Sequence, residues 1–171
     1  MPCHSGPALV SRQTGFTLIE LLIVLVVAGI VAGLGFSAGQ WIDRRHLDEE
    51  TQALHQRLEA LRQLTTATRR EWQLCPLAPG GGTACGENWQ AGYQWDLVSG
   101  DGGHLAGRHA VEGVTLDWNH SGNPVFASAP WQFHTAMGSF SLCNDSGGNR
   151  ITINNAGRIR VEEGNDTGCT D

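Results

Sequence analysis

The chain has 171 residues, of which 40% are hydrophobic, and this favours one folded domain with a buried core. Its formal charge of −6, with no lysine among 11 basic residues, argues against a broadly cationic nucleic-acid binder. Because only 16% of the residues are charged, a fully disordered chain is excluded as well. Because the net charge is negative and there is no lysine, any anionic partner must bind a local cluster of arginines.

An apolar run is the first feature along the chain, and its residues 21–36 carry no charge. Together with Phe16, Leu18 and Ile19, the run is long enough for a helix that spans about 30 Å of hydrocarbon. One carboxylate, Glu20, interrupts it. A carboxylate inside a transmembrane helix costs roughly 2.5–3.5 kcal/mol on insertion scales. Glu20 therefore either reaches the lipid headgroups or pairs with a cation.

The next segment, 43–74, is polar but keeps a helical period. Leucine and threonine recur at steps of three or four, which indicates one buried helix face; they are Leu47, Thr51, Leu54, Leu58, Leu61, Thr65 and Thr68. Pro76 ends the pattern because proline disfavours further helix. The sequence predicts one helix over 16–74, in which 16–40 lies in the membrane or a filament core and 41–74 packs on a head.

Beyond the predicted helix, short apolar alternations are separated by glycine, asparagine and aspartate, a pattern that is typical of short strands. The predicted strands are 93–97, 114–118, 131–134, 139–143, 150–154 and 158–162. A long helix followed by such a meander predicts an α+β fold, in which an antiparallel sheet packs on the helix. The β-rich head covers 75–171.

Cysteine pairing is the next constraint on this head. Apart from Cys3 near the start of the chain, the cysteines lie in the head, at Cys75, Cys85, Cys143 and Cys169. An even count outside a membrane indicates two disulfides, for which three pairings are possible. Zinc is disfavoured because neither Cys-x9-Cys nor Cys-x25-Cys is a usual ligand spacing.

Catalytic signatures are sparse. The seven histidines are scattered, and none follows the His-Glu-x-x-His metal pattern. The sequence has no nucleophile elbow, phosphate loop or dinucleotide fingerprint. Asp96 and Asp101 could hold calcium, but their spacing misses the EF-hand pattern, so a solvated loop is favoured. The sequence predicts no enzyme, no catalytic residue, no metal and no cofactor.

The most informative polar residues lie at 150–161. Aliphatic and polar residues alternate on both sides of 155–157, which predicts a hairpin with its aliphatic side chains inward and Gly157 at positive φ in the turn. Arg158 and Arg160 then share the outer face, and Arg150 lies opposite them. Three guanidiniums on one hairpin suit phosphate binding.

The alternative is structural. Glu162 and Glu163 follow Arg160 after one intervening residue, and Arg160 could form a surface ion pair of small energy with either of them or with Glu112.

Residues 15–22, GFTLIELL, resemble the type III signal of type IV pilins and type II secretion pseudopilins. The resemblance implies a leader over 1–15, cleavage by a prepilin peptidase between Gly15 and Phe16, and N-methylation of the Phe16 amine. It also implies that Glu20 pairs with the N-terminal amine of a neighbouring subunit. Such a pair would offset the cost of a carboxylate in lipid.

The head resembles the FimT/GspH branch of minor pilins through a set of short motifs, among them LCP at 74–76, GSFSLC at 138–143 and GRIR at 157–160. The resemblance implies a single-pass protein of the bacterial inner membrane, with its head in the periplasm and other pilins or pseudopilins as filament partners. Together with proximity in sequence, it favours two disulfides, Cys75–Cys85 and Cys143–Cys169.

Two functions follow from this resemblance. The Gly-Arg-x-Arg motif resembles that of FimT-type minor pilins, which implies binding of double-stranded DNA in natural transformation through Arg150, Gly157, Arg158 and Arg160. The alternative is a structural subunit of a type II secretion pseudopilus, of the protein H type, whose hairpin binds no ligand.

Overall fold

The computed structural model describes residues 17–98, 105–127 and 136–169. Four predictions lie outside these residues: the cleavage site at Gly15 and Phe16, the leader over 1–15, the strand at 131–134, and Asp101. The chain divides after Ala38 into two units, each with its own internal contacts.

One long helix and eight strands form the described structure, and the α+β fold is as predicted. The helix, α1, spans Leu18–Thr68 and crosses the boundary between the units. The strands are β1 (Trp72–Pro76), β2 (Gly92–Leu97), β3 (Leu105–Ala110), β4 (Thr115–Trp118), β5 (Val125–Phe126), β6 (Gly138–Asn144), β7 (Gly147–Ile153) and β8 (Ile159–Glu163).

In the first unit, the side chains of α1 over 18–32 are all exposed, and most of them are aliphatic. In the part of the chain that the structure describes, no helix combines the length and the apolar character needed to cross a membrane.

In the second unit, the predicted face of α1 is buried. Its leucines at 47, 54, 58 and 61 are at most 5% exposed, and Thr51 and Thr65 lie among them. Thr68 does not belong to this face: it is exposed, and its hydroxyl donates to the Leu64 carbonyl. The helical period therefore located the buried face correctly up to Thr65.

The end of the helix differs from the prediction, which placed it at residue 74. Arg69 follows the last helical residue with φ at +54°, in the left-handed region that breaks a helix. Trp72 and Leu74 then lie two residues apart on one face of strand β1, where they pair with Leu97 and Trp95. The large apolar residues after Arg69 thus follow the period of a strand.

The strands form two antiparallel sheets instead of one. The first has the order β3-β2-β1-β5, and the second has the order β4-β6-β7-β8. The described strands that were predicted all lie within three residues of their observed ends. Strands β1, β3 and β5 were not predicted, and all three belong to the first sheet.

A single core joins α1 to the inner faces of both sheets. The leucines of α1 pack with Leu74, Tyr93 and Trp95 of the first sheet. They also pack with residues of the second sheet, namely Leu116, Trp118, Phe140, Leu142, Ile151, Ile153 and Ile159. Alternation along the strands places these side chains inward and leaves the polar residues between them on the outer faces.

The outer face of the first sheet is covered by residues 77–86, here called the first strap. The Cys75–Cys85 disulfide closes this segment. Gln94 of β2 is fully buried beneath it and donates to the carbonyls of Thr83 and Ala84 at 3.0 and 3.1 Å. The pairing of these two cysteines is as predicted.

The outer face of the second sheet is covered by residues 164–169, here called the second strap. The Cys143–Cys169 disulfide ties it to β6, as predicted. Ser141 of β6 donates to the Thr167 carbonyl at 3.1 Å, and the Gly148 N–H donates to Asp166 Oδ1 at 2.6 Å. Each sheet therefore has one disulfide-tethered segment on its outer face.

Candidate functional site

The candidate site is the hairpin formed by β7 and β8. Ile153 pairs with Ile159, and Thr152 pairs with Arg160 in the antiparallel register. The isoleucines are buried and Arg160 is exposed, so the predicted alternation of the hairpin is confirmed. Strand β8 forms one edge of its sheet.

The turn of the hairpin is held by Asn154. Its Oδ1 accepts from the N–H groups of Ala156 and Arg158 at 3.0 and 2.9 Å, and its carbonyl accepts from the Gly157 N–H at 2.9 Å. Gly157 has φ at +70°, as predicted. Asn154 was assigned only to a strand in the sequence analysis. The missed signal was an asparagine at the start of a turn, where its side chain can bond the backbone that follows.

A residue of α1 also contacts this turn. Arg62 donates from Nη1 to the Gly157 carbonyl at 3.2 Å, although the two residues are 95 positions apart in sequence. The Nε of Arg62 lies 3.7 Å from Glu59 Oε2. No local sequence pattern predicts this role of Arg62, because the turn lies so far along the chain from the helix.

Arg158 and Arg160 both have exposed side chains. Neither guanidinium forms an ion pair within the described residues. The carboxylate of Glu162 accepts instead from Asn165 Nδ2 at 2.7 Å. The alternative in which Arg160 pairs with a glutamate is therefore not observed.

Arg150 is placed differently from the other two arginines. It pairs with Glu162 in the register of β7 and β8, and its side chain is half-buried. Its Nη1 donates to the Thr167 carbonyl of the second strap at 3.0 Å. The structure thus brings Arg158 and Arg160 to the exposed end of the hairpin, whereas Arg150 lies beside the second strap.

Glu20 lies in the first turn of α1, in the first unit, and is exposed. Its backbone N–H donates to the Thr17 hydroxyl at 3.3 Å, so Thr17 caps the helix. The spacing Thr-x-x-Glu at 17–20 is the sequence signature of such a cap, and the sequence analysis did not use it. A carboxylate in the first turn is favoured there by the helix dipole.

Asp96 was assigned both to the strand predicted over 93–97, which is confirmed, and to a solvated loop, which is wrong. It belongs to β2, and its alternation with Tyr93 and Trp95 places it on the outer face, near the Cys75–Cys85 disulfide. Asp96 is only 4% exposed, and within the described residues its Oδ1 has no hydrogen-bond partner. Burial raises the pKa of this carboxyl, while a hydrogen bond from Gln73 opposes the shift. Because both cysteines are oxidised, they offer no thiolate to a metal.

Comparison with known proteins adds two findings. Residues 10–36 match the family described as the prokaryotic N-terminal methylation motif. No curated protein matches the chain at a significant level.

Solved structures add a further comparison. The type IV minor pilin FimU of Pseudomonas aeruginosa is similar with a TM-score of 0.55 and 18% identity, over 72% of this chain and 93% of FimU. The minor pseudopilin EpsH from the type 2 secretion system of Vibrio cholerae is similar with a TM-score of 0.51 and 12% identity, over 68% and 96% of the two chains. At these identities the likeness concerns the fold. The chain therefore carries the N-terminal methylation motif and has a fold similar to that of the minor pilin FimU and the minor pseudopilin EpsH.

Proposed function

We propose that the protein is a minor subunit of a type IV pilus or type II secretion filament. The apolar first half of α1 anchors it in the bacterial inner membrane, and its head lies in the periplasm. The observation that supports this proposal is the methylation motif at 10–36 in a chain with the minor pilin fold. The exposed aliphatic side chains over 17–32 offer a surface to lipid or to neighbouring subunits.

Assembly in this proposal depends on the N-terminal residues. Prepilin peptidase cleaves between Gly15 and Phe16, and the new Phe16 amine is methylated. In the filament, Glu20 pairs with the N-terminal amine of a neighbouring subunit. A buried carboxylate is tolerated in an apolar environment when a cation is supplied to it, and the adjoining subunit would supply that cation.

A processing experiment tests this step. The chain is expressed with and without the peptidase, and its N-terminus is determined by mass spectrometry. We expect a shift that corresponds to loss of 1–15 and gain of one methyl group. A chain that retains residues 1–15 in the presence of the peptidase, and is absent from filaments, would contradict the proposal.

The finer part of the proposal is that the hairpin binds double-stranded DNA during natural transformation. Arg158 and Arg160 support it because they are exposed and unpaired among the described residues, on a turn that is closed by hydrogen bonds. Guanidinium groups in this situation can bind the phosphate backbone without reading the base sequence. Because the chain carries a net charge of −6, binding should be weak and strongly dependent on salt.

The full chain in detergent can be titrated with duplex DNA at several salt concentrations. The variant Arg158→Gln/Arg160→Gln should bind more weakly, and its salt dependence should flatten by about 0.9 for each phosphate that is no longer neutralised. Arg44→Gln/Arg70→Gln removes the same charge from two exposed residues of the second unit and serves as the matched control. Equal weakening in both variants would contradict a role specific to the hairpin.

A structural subunit of a secretion pseudopilus is the second candidate. The similarity to EpsH favours it, since that protein is a minor pseudopilin of a type 2 secretion system. In this case the head binds sibling pseudopilins, and the hairpin has no ligand. If the unchanged chain binds no DNA at low salt, the structural function is retained and the DNA-binding proposal is rejected.

A further inference from the structure

We propose that Arg62 of α1 is a positioning residue for the arginine hairpin: by holding the Gly157 carbonyl, it fixes the orientation in which Arg158 and Arg160 meet the phosphates of DNA. This inference rests on the DNA-binding function proposed above. It assigns a role to a helix residue that lies far from the hairpin in sequence.

The hydrogen bonds within the turn are local. The hydrogen bonds made by Asn154 close the turn, but all of their partners lie between 154 and 158. Among the described strands, β8 pairs with β7 alone. Closing the turn fixes its internal shape, and the buried Ile153 and Ile159 on either side of it pack in the core with α1. A hydrogen bond from the helix to the turn itself restricts the turn further.

Arg62 supplies that interaction. Its Nη1 donates to the Gly157 carbonyl at 3.2 Å, and Gly157 is buried although it lies in a turn. Glu59, one helical turn earlier, lies 3.7 Å from the Nε of Arg62, and this partly exposed pair adds only a weak restraint. The carbonyl that Arg62 holds belongs to the peptide group that begins Arg158, so restricting this carbonyl restricts the backbone of Arg158 as well.

A fixed hairpin binds DNA better because it gives up less side-chain and loop freedom on binding. Removing the Arg62 hydrogen bond should therefore weaken DNA binding, although Arg158 and Arg160 remain available to contact the DNA phosphates. A direct phosphate ligand differs in one measurable respect, since its removal also reduces the slope of affinity against salt.

The test compares three variants of the full chain in the same DNA titrations. Arg62→Gln should weaken binding roughly fivefold at each salt concentration and leave the salt slope unchanged. Arg62→Lys should restore most of the affinity, because the lysine amine can donate to the Gly157 carbonyl. Arg70→Gln, which removes the same charge from an exposed residue, should bind like the unchanged chain.

Hydrogen exchange gives a readout that needs no DNA. In Arg62→Gln, the amides of Gly157 and Arg158 should exchange faster than in the unchanged chain, whereas those of Ile151 and Ile153 should not change. Faster exchange at all four amides would mean that the whole sheet is loosened, and it would overturn a local positioning role.

The outcomes separate the two proposals. If the unchanged chain does not bind DNA, the proposed function fails and the role of Arg62 in DNA binding fails with it. If the unchanged chain binds, and Arg62→Gln binds equally well or has a salt slope lower by about 0.9, only the positioning role is overturned.

Discussion

Asn149 of β7 donates from its side-chain amide to the Thr51 hydroxyl of α1 across 3.1 Å, in the interior of the head. The Thr51 hydroxyl donates in turn to the Leu47 carbonyl at 2.6 Å. On its other side, the Oδ1 of Asn149 accepts from the Gly164 N–H at 2.9 Å. One buried side chain thus connects the helix, the second sheet and the start of the second strap.

Replacing Asn149 should destabilise the head. Asn149→Ala leaves the buried Thr51 hydroxyl and the Gly164 N–H without this partner, and we expect the free energy of unfolding to fall by about 1–3 kcal/mol. Urea unfolding of the full chain in detergent, followed by tryptophan fluorescence, measures the change. Asn155→Ala, at an exposed turn position, is the control and should change stability by less than about 0.5 kcal/mol. Equal losses of stability in the two variants would contradict the assigned role of Asn149.

Asp96 should make the stability of the head depend on pH. Burial raises the pKa of the Asp96 carboxyl in the folded state. In the unfolded chain this pKa keeps its ordinary value of about 3.9. The folded state then binds this proton more tightly than the unfolded state. The stabilisation is complete below the unfolded pKa and is lost as the pH rises through the folded pKa.

The variant Asp96→Asn removes this titration. It should be more stable than the unchanged chain at neutral pH, with a difference that shrinks as the pH falls towards about 4. Urea unfolding across this pH range measures the difference. A constant difference, or one that grows as the pH falls, would show that the folded-state pKa of Asp96 is not raised.

A side chain at position 157 should destabilise the head. Its φ of +70° lies in the region that disfavours residues with a Cβ, so Gly157→Ala should lower the free energy of unfolding by about 1–2 kcal/mol. Gly39→Ala is a suitable comparison, because an added Cβ there meets open space and alanine favours the helix. We expect the second variant to unfold at the same or a higher urea concentration. The reverse order would contradict the strained geometry of the turn.

Glu20 should be needed for assembly into filaments but not for the stability of the head. Glu20→Gln keeps the size of the side chain but removes the charge that would pair with the amine of a neighbouring subunit. We expect normal processing and normal urea unfolding of the head, with little of the variant recovered in sheared filaments. Glu163→Gln, which removes one exposed carboxylate from the head, should be recovered like the unchanged chain. Equal recovery of both variants would contradict the role of Glu20.

The sequence predicted the parts of the fold in which hydrophobic residues repeat with one regular period, either that of a helix or that of a strand. Leu54 and Leu58 belong to a long helical repeat, and Ile151 and Ile153 alternate with polar residues, so the face of α1 and the second sheet were located. The first sheet was largely missed. In strand β3, LAGRHA, alternate residues differ little in hydrophobicity, and β5 has only two residues. These strands depend on neighbours that are remote in sequence.

The same distinction holds for the candidate site. The exposed arginines and the glycine turn follow from local alternation, and both were predicted. The hydrogen bonds of Arg62 with Gly157 and of Arg150 with Thr167 depend on tertiary packing, and neither could be read from a short pattern. The buried position of Asp96 was missed because the polar outer face of a strand is normally hydrated, whereas here the first strap covers it.

The two straps have a consequence for the behaviour of the head under reducing conditions. The side chains beneath them are largely hydrophilic, with Gln94 under the first strap and Ser141 under the second. If a disulfide is reduced and its segment detaches, water can replace the carbonyl partners of these side chains. Such local opening would leave the apolar interior of the head closed.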